Sequence, residues 1–371
     1  MIRRFYVHNF RCLENFELPI ARQSSVLLIG DNGSGKSTVR ESIKILQMIA
    51  RGENKVDNLV KPKDFAGGRK EVPIRFEIEV ELGEKIYEYI VAFELPSGNK
   101  ELSVTQERLT CEGLPIYSRN RVPKTWLKPY GVQNADPTFA IDWHLVALPL
   151  VLEKSPDDPL LIFRQWLSRA LVLNPIPDVI YGDADSETLQ PSSSLVELGD
   201  WFSGILSLVP AAYASMATYL KQVMPDFREI RKIVNDRGER MLEVRFAVEK
   251  ATVSIPFKDL SDGEKSFIIC ALVLAANDAY GPLLCFWDEP DKFLALPEVG
   301  HFIIALRKCF NQGGQFIATS HNPEAIRRFS PENTLLLHRK SHLEPTIVRR
   351  LEDLEINGDL VNALIRGAVE P

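Results

Sequence analysis

Six histidines and five cysteines are all that the 371-residue chain offers to a transition metal or a disulfide framework. The cysteines (Cys12, Cys111, Cys270, Cys285, Cys309) are odd in number and widely spaced, and none form a CxxC pair. Neither a zinc site nor a disulfide scaffold is therefore expected. Cys270 and Cys285 lie in apolar runs, where small buried thiols are the plain reading, and a reducing cytoplasm fits. Basic excess is also missing. Forty-four Lys and Arg face 50 Asp and Glu, a formal charge of −6. That excludes a protein that coats nucleic acid non-specifically, although it leaves room for a local basic groove. The opening MIRRFYVHNFR has no apolar core of signal-peptide length. One uncharged stretch, 201–220, has the length of a membrane span. It contains Gly204, Pro210 and several hydroxyl residues, so a buried helix pair broken at Pro210 accounts for it better. No internal repeat, low-complexity tract or run of heptads is present.

What is present is ordinary globular material, 45% hydrophobic and 25% charged. At roughly 150 residues per domain, the length suggests two or three domains, or one large domain with an insertion. Strands are predicted at 3–10, 16–20 and 25–29, then a helix at 37–50 and a polar loop at 55–70. The segments 72–82 and 86–95 alternate around Gly83–Glu84, a hairpin signal, and 104–109 and 114–118 extend that antiparallel sheet. From 125 to 185 the pattern is mixed and rich in proline. Residues 195–223 look helical, and 227–234 with 241–248 form a second hairpin around Asn235–Gly238. The tail returns to α/β alternation: helix 264–277, strand 283–287, helix 296–310, strand 315–319, helix 323–329 and strand 334–338.

Four motifs carry chemistry. Gly30-Asp31-Asn32-Gly33-Ser34-Gly35-Lys36-Ser37 fits G-x-x-x-x-G-K-[ST] between an apolar strand and a helix. Glycines let the backbone curl so that its N–H groups point at phosphate oxygens. The helix start adds a positive dipole end, Lys36 reaches the outer phosphates, and the Ser37 hydroxyl can ligate Mg²⁺. Far downstream, the apolar 283–287 run delivers Asp288 and Glu289, suited to holding Mg²⁺ and to activating water. Leu260-Ser261-Asp262-Gly263-Glu264 runs into a helix. It reads as a capping box (Ser261 with Glu264) and equally as a second anion site. The 315–319 run ends in Ser320-His321, which places a histidine where it can meet a γ-phosphate.

In this order the four resemble the Walker A, signature, Walker B and switch-histidine motifs of the ABC-type ATPases. With Asn9-Phe10-Arg11 and Asn32, the set resembles the RecF/SMC-like branch, including the ATPase part of overcoming-lysogenization-defect phage-defence proteins. The match covers roughly residues 1–50 and 255–340. It implies an α/β P-loop NTPase with an ABC-type mixed sheet, an antiparallel β subdomain, and a mainly helical insertion in place of a long coiled coil. The expected division is an N-terminal lobe at 1–95, an insertion or lid at 96–250, and a C-terminal lobe at 251–371. About 225 residues separate Lys36 from Ser261, far more than transporter subunits hold.

The resemblance further implies ATP and Mg²⁺ as cofactors and a head-to-tail homodimer, or larger homo-oligomer, closed by ATP. Gly30, Asn32, Gly33, Ser34, Gly35, Lys36, Ser37, Thr38 and Arg11 would bind nucleotide. Ser37 and Asp288 would hold the metal, and Glu289 and His321 would be catalytic. Ser261, Asp262, Gly263 and Glu264 would act on the opposite protomer's nucleotide. The expected role is a cytoplasmic ATPase switch in phage defence or DNA surveillance that controls a separately encoded effector and makes no membrane contact. The alternatives are a DNA-binding repair or maintenance ATPase and a non-hydrolysing ATP-dependent scaffold. For DNA, Lys61, Lys63, Arg69 and Lys70, or Arg119, Arg121, Lys124 and Lys128, offer two basic strips. Two departures stand out. The chain reads Asp288-Glu289-Pro290-Asp291 and then Leu296-Pro297, where defence-type members show DEPE followed by a His-Pro pair. A Q-loop glutamine is not found in 61–82. The 30 or so residues after Lys340 are too few for a nuclease domain. Trp143, Trp166 and Trp201 are expected in the core.

Overall fold

The computed structural model describes residues 1–354 except 97, 99–100, 121–124, 127–137, 140, 153–154 and 235–237. The expected turn at 235–238 falls mostly outside them. The N-terminal third runs β1 (Ile2–His8), β2 (Phe16–Leu18), β3 (Ser25–Ile29), α1 (Lys36–Ala50), α2 (Val56–Leu59), β4 (Ile74–Leu82), β5 (Lys85–Glu94), β6 (Ser103–Cys111) and β7 (Leu114–Asn120). The middle carries β8 (Thr125–Trp126), β9 (Thr138–Phe139), α3 (Pro159–Ser168), β10 (Leu171–Leu173), α4 (Leu198–Leu208), α5 (Ala212–Val223), β11 (Phe227–Val234) and β12 (Arg240–Val248). The last part holds β13 (Ala251–Pro256), α6 (Asp262–Tyr280), β14 (Leu284–Asp288), α7 (Leu296–Gln312), β15 (Gln315–Thr319), α8 (Pro323–Arg328), β16 (Thr334–His338) and β17 (Ile347–Arg350).

Three sheets result. An antiparallel sheet has the order β2-β1-β4-β5-β6-β7-β8-β9, and β11-β12-β13 form a small meander. The central sheet, β10-β14-β15-β3-β16-β17, is parallel except for β17. Its inner strands are continuous apolar runs because both faces are covered. Successive side chains point to opposite faces. Val26 and Leu28 of β3 join the core beneath α1 and the antiparallel sheet. Leu27 and Ile29 join the core formed with α4, α5, α6 and α7. The fold is thus the mixed α/β architecture expected.

Residues 96–250 contribute strands to both larger sheets. β6 pairs with β5, and β10 adds an edge to the central sheet beside β14. Residues 201–220 form α4 and α5, broken around Pro210. No helix of the described residues is long and apolar enough to cross a membrane. Helix α3 escapes the periodicity reading because it is short and follows prolines. Asp158 caps it, accepting from Leu160 N at 2.9 Å, with Pro159 in the first turn. The expected loop at 55–70 holds α2 and two 3₁₀ turns. Strands β13 and β17 were not legible, the first being exposed along most of its length and the second only 4 residues long. Trp201 is fully buried, with its indole N–H on the Tyr280 hydroxyl at 2.9 Å. Trp143 departs from the core expectation, standing 51% exposed against His144.

Candidate functional site

The phosphate loop is fixed by close backbone approach. Gly30 has φ +142°, and a Cβ there would lie 2.0 Å from the Leu337 carbonyl oxygen. Gly35 has φ +107°, and a Cβ would lie 2.7 Å from Thr346 Oγ1. Both conformation and space demand glycine. Helix α1 starts at Lys36 with no side-chain cap, so its first N–H groups remain free for an anion. Lys36 is buried and its ammonium donates to the carbonyls of Gly30 (2.6 Å) and Asp31 (3.0 Å). Burial lowers its pKa, against the pull of Asp288, Glu289 and Asp31. The buried Ser34 Oγ has no hydrogen-bond partner.

Residues Asn32 to Thr38 open on a cavity of about 440 Å³, walled also by Arg11, Cys12, Asp288, Glu289, His321 and Arg339. The parallel register places Asp288 beside Thr319. The Thr319 hydroxyl donates to Asp288 Oδ1 at 2.5 Å and accepts from Glu289 N–H at 2.9 Å. Arg40, one turn into α1, pairs with the other Asp288 oxygen and with Glu41 at 2.9 Å. Glu289 turns off the strand with φ +49°, a left-handed conformation rare for a non-glycine residue. Its Oε1 lies 4.0 Å from His321 Nε2. Burial, and then the positive Lys36, lower the His321 pKa. Asp291, at the position that departs from the expected glutamate, is buried and accepts from Ser320 Oγ at 2.9 Å. Burial pushes its pKa up. Arg11 holds φ +54° and pairs through Nε with Asp64 Oδ1 at 2.9 Å.

The fold therefore gathers Arg11, Asn32, Gly33, Ser34, Gly35, Lys36, Ser37, Thr38, Asp288, Glu289 and His321 around one cavity. Gly30 lies behind the loop, and Ser261, Asp262, Gly263 and Glu264 stand elsewhere. Ser261 caps α6 with the predicted box: Glu264 N–H donates to its Oγ at 3.3 Å, and Ser261 N–H donates to Glu264 Oε2 at 2.8 Å. Sequence reading missed Arg40, Thr319, Thr346 and Arg339. Helix α1 brings in Arg40, one turn beyond Lys36, and strand register and a distant hairpin bring in the other three, which no local spacing signals. Of the basic strips, Lys61, Lys63 and Lys70 are exposed, and Arg69 pairs with Glu14 at 2.5 Å. Arg119 is buried and spent on backbone carbonyls, which removes it from any strip. Arg121, Lys124 and Lys128 lie outside the described residues.

Residues 1–131 match the family described as "AAA ATPase domain". Residues 134–327, more than half of the chain, match that described as "AAA domain, putative AbiEii toxin, Type IV TA system". The chain is 29% identical over 113 residues to the OLD nuclease of Thermus scotoductus, covering 30% of this chain and 18% of that protein. It thus spans under a fifth of that relative's length. Among solved structures, an SMC head bound to the C-winged helix domain of ScpA aligns at TM-score 0.57 and 12% identity, over 95% of this chain and 99% of that one. A second SMC head, with an extended coiled coil and bound to the C-terminal domain of ScpA derived from Pyrococcus furiosus, aligns at TM-score 0.50 and 13% identity, over 95% and 97%. At such identity the likeness concerns the fold, which is that of a P-loop NTPase of the SMC-head type.

Proposed function

The chain belongs to the AAA-domain ATPase family, and from that premise we propose that it binds and hydrolyses ATP as a switch closed by two copies joined head to tail. One observation carries this reading. A single cavity is lined by the phosphate loop, Lys36, Asp288, Glu289 and His321, while Ser261–Glu264 of the same chain does not line it. A second copy is the natural source of that cap.

The cavity fits a triphosphate. It offers a buried ammonium, an uncapped helix start, a partnerless buried hydroxyl at Ser34 and a glycine cradle. Ser37 Oγ and the Asp288 carboxylate, both hard oxygen donors, would hold Mg²⁺, which neutralises phosphate charge when bound. Among the described residues no group of three or more His, Cys, Asp or Glu is gathered as a metal cage. That suits a cation that relies on phosphates and water for its other ligands. Lys36 and the loop N–H groups hold the phosphates, with Arg11 on the cavity wall. Glu289 orients water and takes its proton. His321, its pKa lowered by burial and by Lys36, donates a hydrogen bond to a γ-phosphate oxygen. Ser261 and Gly263 of the second copy complete the γ-phosphate shell. The nucleotide then stabilises only the closed state, and hydrolysis releases it.

In this reading 1–95 and 251–371 are the nucleotide-handling lobes and 96–250 braces them. The output passes to a separately encoded effector in phage defence or DNA surveillance. The relation to an OLD nuclease over part of the chain supports that role, as do SMC heads seen with a separate protein, ScpA. The test is the solution mass of Glu289→Gln with and without Mg-ATP. Doubling with ATP, together with phosphate release slowed at least about a hundredfold, is expected. A mass unchanged by bound ATP would refute the closed pair, and undiminished turnover would show that another residue is the base.

A further inference from the structure

The hairpin β16–β17 is fastened to the phosphate loop at both ends. Strand β16 lies in register with β3, Leu336 beside Ile29, which delivers the chain past Gly30. On the return, the buried Thr346 donates its hydroxyl to the Ser34 carbonyl at 2.9 Å and its N–H to the Cys12 carbonyl at 2.8 Å. Between these anchors the connecting turn arches over the loop, with His342 Nε2 3.9 Å from where a Gly33 Cβ would stand. Arg339 opens the turn and lines the cavity. Its guanidinium donates to the carbonyls of Glu344 (2.6 Å) and His342, both in its own turn. Arg11, on the same cavity, is neutralised by Asp64. Among the described residues no carboxylate is paired with Arg339. A guanidinium held only by neutral carbonyls on a cavity wall is suited to an anionic ligand, because charge-assisted bonds to phosphate are stronger than those to carbonyls.

We propose that Arg339 contacts the phosphate chain of the bound nucleotide, and that Thr346 positions the turn that presents it. This rests on the cavity's being the nucleotide site. The ligand class is a nucleoside polyphosphate, and the contact adds a grip on the phosphates from beyond the motif residues.

The test uses the full chain and a ribose-labelled fluorescent ATP analogue, with Lys36→Ala, Arg339→Ala, Arg339→Lys and Thr346→Val. Arg339→Ala should weaken binding of the analogue about tenfold to a hundredfold, the range of one charge-assisted hydrogen bond. It should leave the melting temperature unchanged, flatten the salt dependence, and raise KM more than it lowers kcat. Arg339→Lys should recover part of the affinity. Thr346→Val should weaken binding without removing the charge. Arg339→Ala that binds within about twofold of wild type, while Lys36→Ala does not bind, overturns the proposal and spares the site. A lowered melting temperature with unaltered affinity overturns it as well, since it marks a purely structural arginine. If Lys36→Ala binds as wild type does, the nucleotide site itself is misplaced.

Discussion

Two buried charges, Lys36 and Glu107, are handled in opposite ways. Glu107, in the antiparallel sheet, is fully buried and accepts four hydrogen bonds. They come from the hydroxyls of Tyr89 (3.0 Å) and Tyr117 (2.8 Å) and from the N–H groups of Ala147 (2.7 Å) and Leu148 (2.9 Å). Its neighbour Arg119 gives its guanidinium to the carbonyls of Leu145 (2.6 Å) and Asp142 (2.8 Å). Acid and base together satisfy a buried stretch of backbone that has no regular structure of its own. Lys36 has only two carbonyls of its own loop, and the hydroxyl beside it at Ser34 has no partner. Around Glu107 and Arg119 the polar groups pair with one another. The phosphate loop leaves valences that a ligand can fill. A buried polar group left open is costly, so where one persists, function is the first place to look.

The contrast can be broken most directly at Glu107. Glu107→Ala strands two tyrosine hydroxyls, two N–H groups and the Arg119 charge, and should cost about 3–5 kcal/mol of folding stability. Urea denaturation measures it, and a loss below about 1 kcal/mol would mean that the network is ornamental. Its pH signature follows from burial, which raises the Glu107 pKa in spite of its donors. The folded state then holds the proton more tightly than the unfolded chain. Stability should fall as pH rises from the ordinary carboxylate value, about 4.3, through the raised one. Glu107→Gln should remove that slope.

A smaller effect is expected at Gly35. Alanine there meets both a left-handed φ and the Thr346 hydroxyl at 2.7 Å. A cost of about 1–3 kcal/mol is expected, together with loss of nucleotide binding, because the loop must shift to relieve it. Thermal melts with and without Mg-ATP separate the two effects. Smaller again is Ser261→Ala, which removes the cap of α6 and should cost about 1 kcal/mol. If the cap serves a second copy, this variant should also lose the ATP-dependent doubling of mass. Doubling retained in full would confine Ser261 to helix capping.

The two regions also differ in how far the sequence discloses them. The phosphate loop, Asp288–Glu289, Ser261–Glu264 and His321 are legible because phosphate chemistry demands local spacing next to strand and helix ends. Thr319 was visible only as a strand residue, and its bridge between Asp288 and the Glu289 N–H exists through the β14–β15 register. Arg40 and Arg339 carry no spacing signal of their own; α1 brings Arg40 to Asp288, and the turn after β16 brings Arg339 to the cavity. Arg119, placed in a possible basic strip, is instead buried beside Glu107. Facing each other across β6 and β7, the two order residues 141–148, whose irregular pattern offers no period to read. Trp143 errs in the other direction, a large aromatic left half outside.

The smallest expected stability effect sharpens the comparison most. Lys36 is as buried as many core residues, yet it is not there to hold the fold. Burial lowers its pKa, so keeping it charged costs stability rather than adding it. Lys36→Met keeps the length and apolar stem and removes the charge. Its carbonyl partners belong to the half-buried Gly30 and the exposed Asp31, where water can replace the ammonium. Stability should therefore stay within about 1 kcal/mol of wild type, or rise, while stabilisation of the melt by Mg-ATP disappears. Glu107→Ala should do the reverse in a chain that still binds nucleotide wherever it folds. Were Lys36→Met to unfold the chain as readily as Glu107→Ala, both charges would be structural and the open valences at the loop would lose their meaning as a site.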